Sequence, residues 1–131
     1  MNSVFKVWGK RHRLLLTNQV EVDLLHINKN CFCSTHKHKH KINKFYVIDG
    51  CLEIQTPYGT TLLNKGENFT IEPPLLHRFK SLEKSTVIEI AYVKKGKIKA
   101  NDIERFQQGG RVIFGKEVSL DEIKKRGLKG K

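Results

Sequence analysis

The sequence predicts an all-β sandwich or barrel, and three observations predict it. Turn signals arrive about every 8–12 residues along most of the chain. The runs between them are short and rich in apolar and β-branched residues. A helix signature appears only near the end, after Ser119.

Taken in order, residues 4–8 and 12–17 read as short strands around Gly9, and residues 20–27 as a better one, turned by Asn28-Lys29-Asn30. Cys31 to His38 is the next extended piece, followed by Phe45 to Ile48. Asp49-Gly50 is a favoured two-residue hairpin turn and leads into Leu52 to Thr56. Pro57-Tyr58-Gly59 turns the chain into Thr60 to Leu63, and Asn64-Lys65-Gly66 turns it into Phe69 to Ile71. A corner at Pro73-Pro74 follows, then strands from His77 to Lys80 and from Thr86 to Val93. Ser119 and Glu122 make a capping box for a helix of about two turns that Gly127 terminates. So short a helix is marginal alone, so Leu120 and Ile123 are expected to dock on the barrel. The expected division is a barrel over 1–115 and a short helix with a basic tail over 116–131, disordered beyond Gly127.

With 131 residues the chain suits one domain with a real core, and 38% hydrophobic content lies within the globular range. No apolar run approaches the length of a membrane span, and the first residues lack the apolar core of a signal peptide. Three cysteines, Cys31, Cys33 and Cys51, fit reduced thiols in a cytoplasmic protein better than a disulfide scaffold. In an unbroken strand Cys31 and Cys33 would face away from His36 and His38, which argues against a shared Cys/His zinc site. The net charge of +12 favours anions, but no nucleic-acid-binding motif accompanies it. The expected partner is therefore an anionic small molecule, with no specific nucleic acid and no membrane. Apolar residues on both parities of the first two strands suggest that a second copy covers them, hence a homodimer.

The chemistry gathers at His36-Lys37-His38-Lys39-His40. In a strand His36 and His38 share a face, roughly 6.6 Å apart at about 3.3 Å per residue. Two imidazoles at that spacing can converge on one ion. His77 follows the proline corner and starts a new strand. His40 is either a fourth nitrogen ligand or a solvated loop residue, and the loop reading is preferred.

These residues resemble the motifs of the cupin superfamily, H-x-H-x(3,4)-E-x6-G and G-x5-P-x-G-x2-H. His36, His38, Asn43 and Gly50 fit the first, with asparagine at the glutamate position. Gly66, Pro73 and His77 fit the second, with Glu72 and Pro74 at its first proline and its glycine. The resemblance implies a cupin jelly-roll barrel that binds one divalent transition metal, with zinc, iron, nickel and manganese not distinguished. It places the metal at His36, His38, Asn43 and His77. With the flanks included, most of residues 7–112 look like the C-terminal cupin domain of bacterial type II mannose-6-phosphate isomerases. The matching stretches are Trp8-Gly9, the histidine strand up to Asp49-Gly50, Pro73 to Arg78, and Asp102-Ile103-Glu104-Arg105-Phe106. That family's Gln, Glu, His and Trp positions hold His36, Asn43, Lys44 and Phe45 here.

The resemblance implies a sugar or sugar-phosphate substrate and an isomerase or epimerase activity. Such chemistry needs a group that moves a proton, for which Glu53 and Glu89 are the candidates. Arg78, Arg105 and Lys44 are the candidates for holding an anionic substrate, with Lys37, Lys39 and Lys41 completing a basic rim. Two rivals stay open: a carbohydrate-binding or sensing module without catalysis, and a three-histidine metal-dependent oxygenase. Loss of the motif carboxylate favours the binding module; retention of three histidines favours chemistry.

Overall fold

The computed structural model describes residues 2–127, so the expected disorder beyond Gly127 lies outside the described residues. The strands are β1 (Asn2–Lys6), β2 (Gly9–Leu16), β3 (Val20–Ile27), β4 (Cys31–Phe32), β5 (Thr35–Lys37), β6 (Ile42–Asp49) and β7 (Cys51–Thr56). They continue as β8 (Gly59–Asn64), β9 (Asn68–Ile71), β10 (Arg78–Ser81), β11 (Ser85–Tyr92), β12 (Glu104–Gln107), β13 (Gly110–Ile113) and β14 (Lys116–Ser119), with α1 (Leu120–Lys125) last. One six-stranded sheet runs β1-β2-β3-β11-β6-β9 and a second runs β14-β13-β4-β10-β7-β8, while β12 and β5 form a two-stranded ribbon. The two large sheets face each other and bury one core, as a jelly roll does.

Alternation places the residues. In the first sheet the odd positions face inward: Asp23, Leu25 and Ile27 on β3, Asn43, Phe45 and Val47 on β6, and Val87 and Ala91 on β11 are buried. Leu52 and Ile54 of β7, Leu63 of β8 and Phe79 of β10 meet them from the second sheet. Trp8 closes the core edge-on to Phe79, with ring centroids 5.2 Å apart. Gly9 beside it is obligatory, because a Cβ there would lie 1.9 Å from the His26 carbonyl oxygen.

Three expectations change. Asp49-Gly50 does not make a hairpin: β6 pairs with β11 and β9, whereas β7 pairs with β10 and β8, so this turn crosses between sheets. Gly50 has φ of 97°, and its bare Cα lies tight against Lys84 and Ser85, which a Cβ would strike. The stretch from Cys31 to His38 is broken after Phe32, so the parity argument does not apply, and Cys33, His36 and His38 all line the same cavity. The strands also continue past residue 115, since β14 pairs with β13 at the edge of the second sheet. α1 starts as expected, with the Ser119 side chain accepting from the Glu122 N–H and Ile123 fully buried against the barrel.

Candidate metal centre

His36 and His38 come from β5 and the residue that follows it, His77 from the approach to β10, and backbone bonds bring the two pieces of chain together. The amide of each of His36 and His77 donates to the other's carbonyl, at 3.0 and 2.9 Å, which ties β5 to the approach of β10. His38 leads a tight loop whose amides at Lys39, His40 and Lys41 all donate to the Asp102 carboxylate. The three imidazoles offer one ligand atom each, all within 4.8 Å of one another.

Each ring also has its tautomer set by the backbone. Nδ1 lies 2.8 Å from the Ser34 carbonyl in His36, 2.7 Å from the Asp102 carbonyl in His38 and 2.9 Å from the Leu75 carbonyl in His77. A carbonyl only accepts, so each Nδ1 carries the proton and each Nε2 keeps a free lone pair. Nε2 of His38 and of His77 is buried with no hydrogen-bond partner. An orphaned acceptor costs about 1–3 kcal/mol, and a metal ion would recover it. Burial pushes the pKa of His36 down to about 3 and that of His77 to about 4, and lowers that of His38. All three are therefore neutral near pH 7 and ready to coordinate. The set fits a transition metal that accepts imidazole.

Asn43 adds the amide. Its Nδ2 donates to Glu89 Oε2 at 2.6 Å, and its Oδ1 is buried without a partner. The motif carboxylate is thus not replaced by nothing: an acid stands one strand away, bonded to the amide that took its place. Burial, with repulsion from Asp23 behind it, pushes the Glu89 carboxyl up to about 7. Glu89 lines the same cavity as His36 and His38, which has a volume of about 630 Å³. Beside Glu89, on the neighbouring strand β3, lies an ion-pair network that sequence reasoning missed. Arg13 pairs with Glu21 and Asp23, and Lys41 reaches Glu21 at 3.2 Å.

The cavity sorts the other candidates. Arg105 lines it, directly across from His36 in the β12–β5 ribbon. Glu53 does not: Leu52 and Ile54 take the inward positions, and Glu53 accepts from Gln55 on the outer face. Arg78 also lies outside this cavity, bonded to Gln55 and Glu117 over the Phe32 ring, and lines a second one with His77. Lys44 alternates with the buried Asn43 and Phe45 and points away from the cavity. His40 is exposed and outside the histidine cluster. Lys41 is buried inside the barrel, not on a solvent rim, because the Asp102 clasp turns the chain inward there. Cys33 is no ligand: its sulfur accepts from the Phe79 amide at 3.2 Å and burial pushes the thiol up to about 12.

Comparison with known proteins agrees with this architecture. The family model described as the C-terminal part of mannose-6-phosphate isomerase matches residues 1–108. No curated protein matches the chain. Among solved structures, KdgF from Halomonas sp. is similar at 20% identity over 66% of this chain and 81% of its own, with a TM-score of 0.61. Ectoine synthase from P. lautus is similar at 15% identity over 89% and 88%, with a TM-score of 0.64. Streptomyces PAC13 with uridine is similar at 8% identity over 82% and 84%, with a TM-score of 0.69. At such identities the likeness is one of fold.

Proposed function

Because the chain belongs to the family of mannose-6-phosphate isomerase C-terminal domains, which are cupins, we propose that it is a metal-dependent cupin that isomerises or epimerises a sugar phosphate or similar anionic sugar. The observation that carries this reading is the set of three converging imidazoles whose Nδ1 atoms are held by carbonyls, with Nε2 of His38 and of His77 buried and unpartnered. His36, His38 and His77 would hold the ion, with Asn43 Oδ1 as the fourth donor. A divalent metal there supplies Lewis-acid polarisation of a substrate carbonyl. Glu89 does the proton work. With a pKa near 7 its carboxyl both accepts and returns a proton at neutral pH, as a shift between neighbouring carbons requires. Asn43 fixes the Glu89 oxygen through its amide, and the Arg13–Glu21–Lys41 network keeps the wall behind it rigid.

The test is elemental analysis together with an assay of mannose 6-phosphate and fructose 6-phosphate interconversion. One transition metal per chain and a turnover that Glu89→Gln lowers by about 10²–10⁴-fold is the expected result. Protein that carries no metal would overturn the reading. Bound sugar phosphate with no turnover would replace it with the sensing module, which the missing motif carboxylate favours.

The same proposal includes a homodimer in the cytoplasm. Three free cysteines suit a reducing compartment, and among the described residues no helix is long and apolar enough to cross a membrane. On the outer face of the first sheet Ile90 lies opposite Val22, and Ile88 lies between Leu24 and Tyr46. Ile48, Leu14 and Leu15 add to this apolar surface, each more than two-fifths exposed. A second copy is the partner that would cover such a face. Sedimentation at micromolar concentration should give twice the chain mass, and a monomer would rule the dimer out.

A further inference from the structure

We propose that Lys6, Arg11 and Arg105 form a phosphate-binding subsite at the mouth of the histidine cavity, suited to the dianion of a phosphate monoester. The inference rests on the reading of the cavity as a sugar-phosphate site, and it assigns the anion to residues on β1, β2 and β12.

All three side chains line the cavity. In the β1–β2 hairpin Lys6 lies opposite Gly9, so Arg11, two residues further on, is its diagonal neighbour on the same face. Arg105 lies opposite His36, which sets one guanidinium beside a ligand of the candidate metal. Among the described residues no ion pair engages any of the three, whereas two other cations of the cavity have one: Arg13 pairs with Glu21 and Asp23, and Lys41 with Glu21. Arg11 Nε is moreover buried with no hydrogen-bond partner. Cations this close repel one another. Burial lowers the pKa of Lys6, and both Arg11 and Arg105 lower it further. Repulsion left uncompensated within the protein is relieved by an anion that bonds all three. Two guanidiniums and an ammonium carry more positive charge than a single carboxylate neutralises, whereas a phosphate monoester brings about two negative charges and three acceptor oxygens. A sugar phosphate seated there turns its other end toward the three imidazoles and Glu89.

The experiment is calorimetric titration of zinc-loaded protein with mannose 6-phosphate, mannuronate and mannose, with the metal content of each sample measured in parallel. Mannose 6-phosphate should bind at least tenfold more tightly than either of the others, by a margin that shrinks as salt is added. Lys6→Gln and Arg11→Gln should each weaken the phosphate about tenfold, the loss of one charge-assisted contact, while mannose binding and metal content stay unchanged. Lys65→Gln, which removes a charge at a distant turn, should change nothing. If Arg11→Gln fails to fold, Lys6→Gln on the edge strand β1 decides the matter. Undiminished phosphate binding in the Lys6 and Arg11 variants would overturn the subsite, and mannuronate binding as tightly as the phosphate would overturn its assignment to a dianion. A metal-loaded protein with no phosphate preference defeats the subsite alone. A phosphate preference that persists, and falls in Arg11→Gln, in protein that takes up no metal defeats the metal reading alone.

Discussion

The two ends of the barrel interior are built from the same strands and obey opposite rules. On β3 the inward column runs Glu21, Asp23, Leu25, Ile27; on β6 it runs Asn43, Phe45, Val47; on β11 it runs Ala91, Glu89, Val87. At one end Leu25, Ile27, Val47, Leu52, Leu63 and Val87 pack with almost no exposure. Each such side chain contributes about 1.5–3 kcal/mol by leaving water. At the other end the columns turn ionisable, face a cavity and leave acceptors without partners. Burying charge there costs stability even when it is paired. The apolar end therefore holds the scaffold, and the polar end spends part of that stability on preorganised groups.

A buried charge at the apolar end should break the scaffold outright. Val87→Asp sets a carboxylate among Leu25 and Val47 with no cation in reach, and an unpaired buried charge costs more than about 4 kcal/mol. The variant should melt far below the wild type or fail to fold, as circular dichroism on heating would show. A modest loss would mean that water reaches this end as well.

At the polar end the same kind of damage should fall on the ligand and not on the fold. His77→Ala removes one Nε2 and should lower bound metal at least tenfold, read by elemental analysis. Full occupancy in the variant would show that the imidazole cluster is not the metal centre.

Much of this division was legible in the sequence, and its gaps have physical causes. His36, His38 and His77 could be singled out because their spacing and the proline corner are local signals. The interior face of β3 could not be read: Val20, Val22 and Leu24 alternate as a buried face should, yet Glu21 and Asp23 are the ones turned inward. Their compensation comes from Arg13 and Lys41, eight or more residues away in sequence, and no window on β3 contains it. The Asp-Gly turn failed for the same reason. It specifies a local reversal, whereas partner choice is fixed by which sheet each strand completes. Lys41 looked like one more surface lysine because the Asp102 clasp lies 61 residues downstream.

The two kinds of buried ionisable group should give metal-free protein a stability curve with opposing slopes. Histidines near 6.5 when unfolded are held near 3 and 4 in the fold, so below pH 6.5 the unfolded state binds more protons and stability falls as pH falls toward 4. Glu89 has the opposite sign. Its folded pKa of about 7 exceeds the ordinary 4.5, so the folded state binds more protons in that window and stability falls as pH rises through it. Glu89→Gln keeps the shape and the bond to Asn43 but removes the second slope. Urea unfolding should find the variant more stable than wild type at pH 8, by at most about 3 kcal/mol, with no gap at pH 4. A gap independent of pH would remove Glu89 from the proton-handling role.

The smallest effect should come from the other glutamate. Glu53 and Glu89 are equivalent by residue type and by placement within a strand, and they differ in parity alone: Glu53 stands between the inward Leu52 and Ile54, while Glu89 takes an inward position itself. On the outer face its carboxylate accepts from Gln55 at 2.8 Å, and no buried group depends on it. A surface bond of that kind is worth little, because water replaces it at almost no loss. Glu53→Gln should change stability by no more than about 0.5 kcal/mol and leave metal content, sugar-phosphate binding and any turnover as they were. Running it beside Glu89→Gln makes the two carboxylates a direct measure of what facing the cavity contributes. A comparable loss of turnover in both variants would mean that the glutamates act through something other than the cavity they do not share.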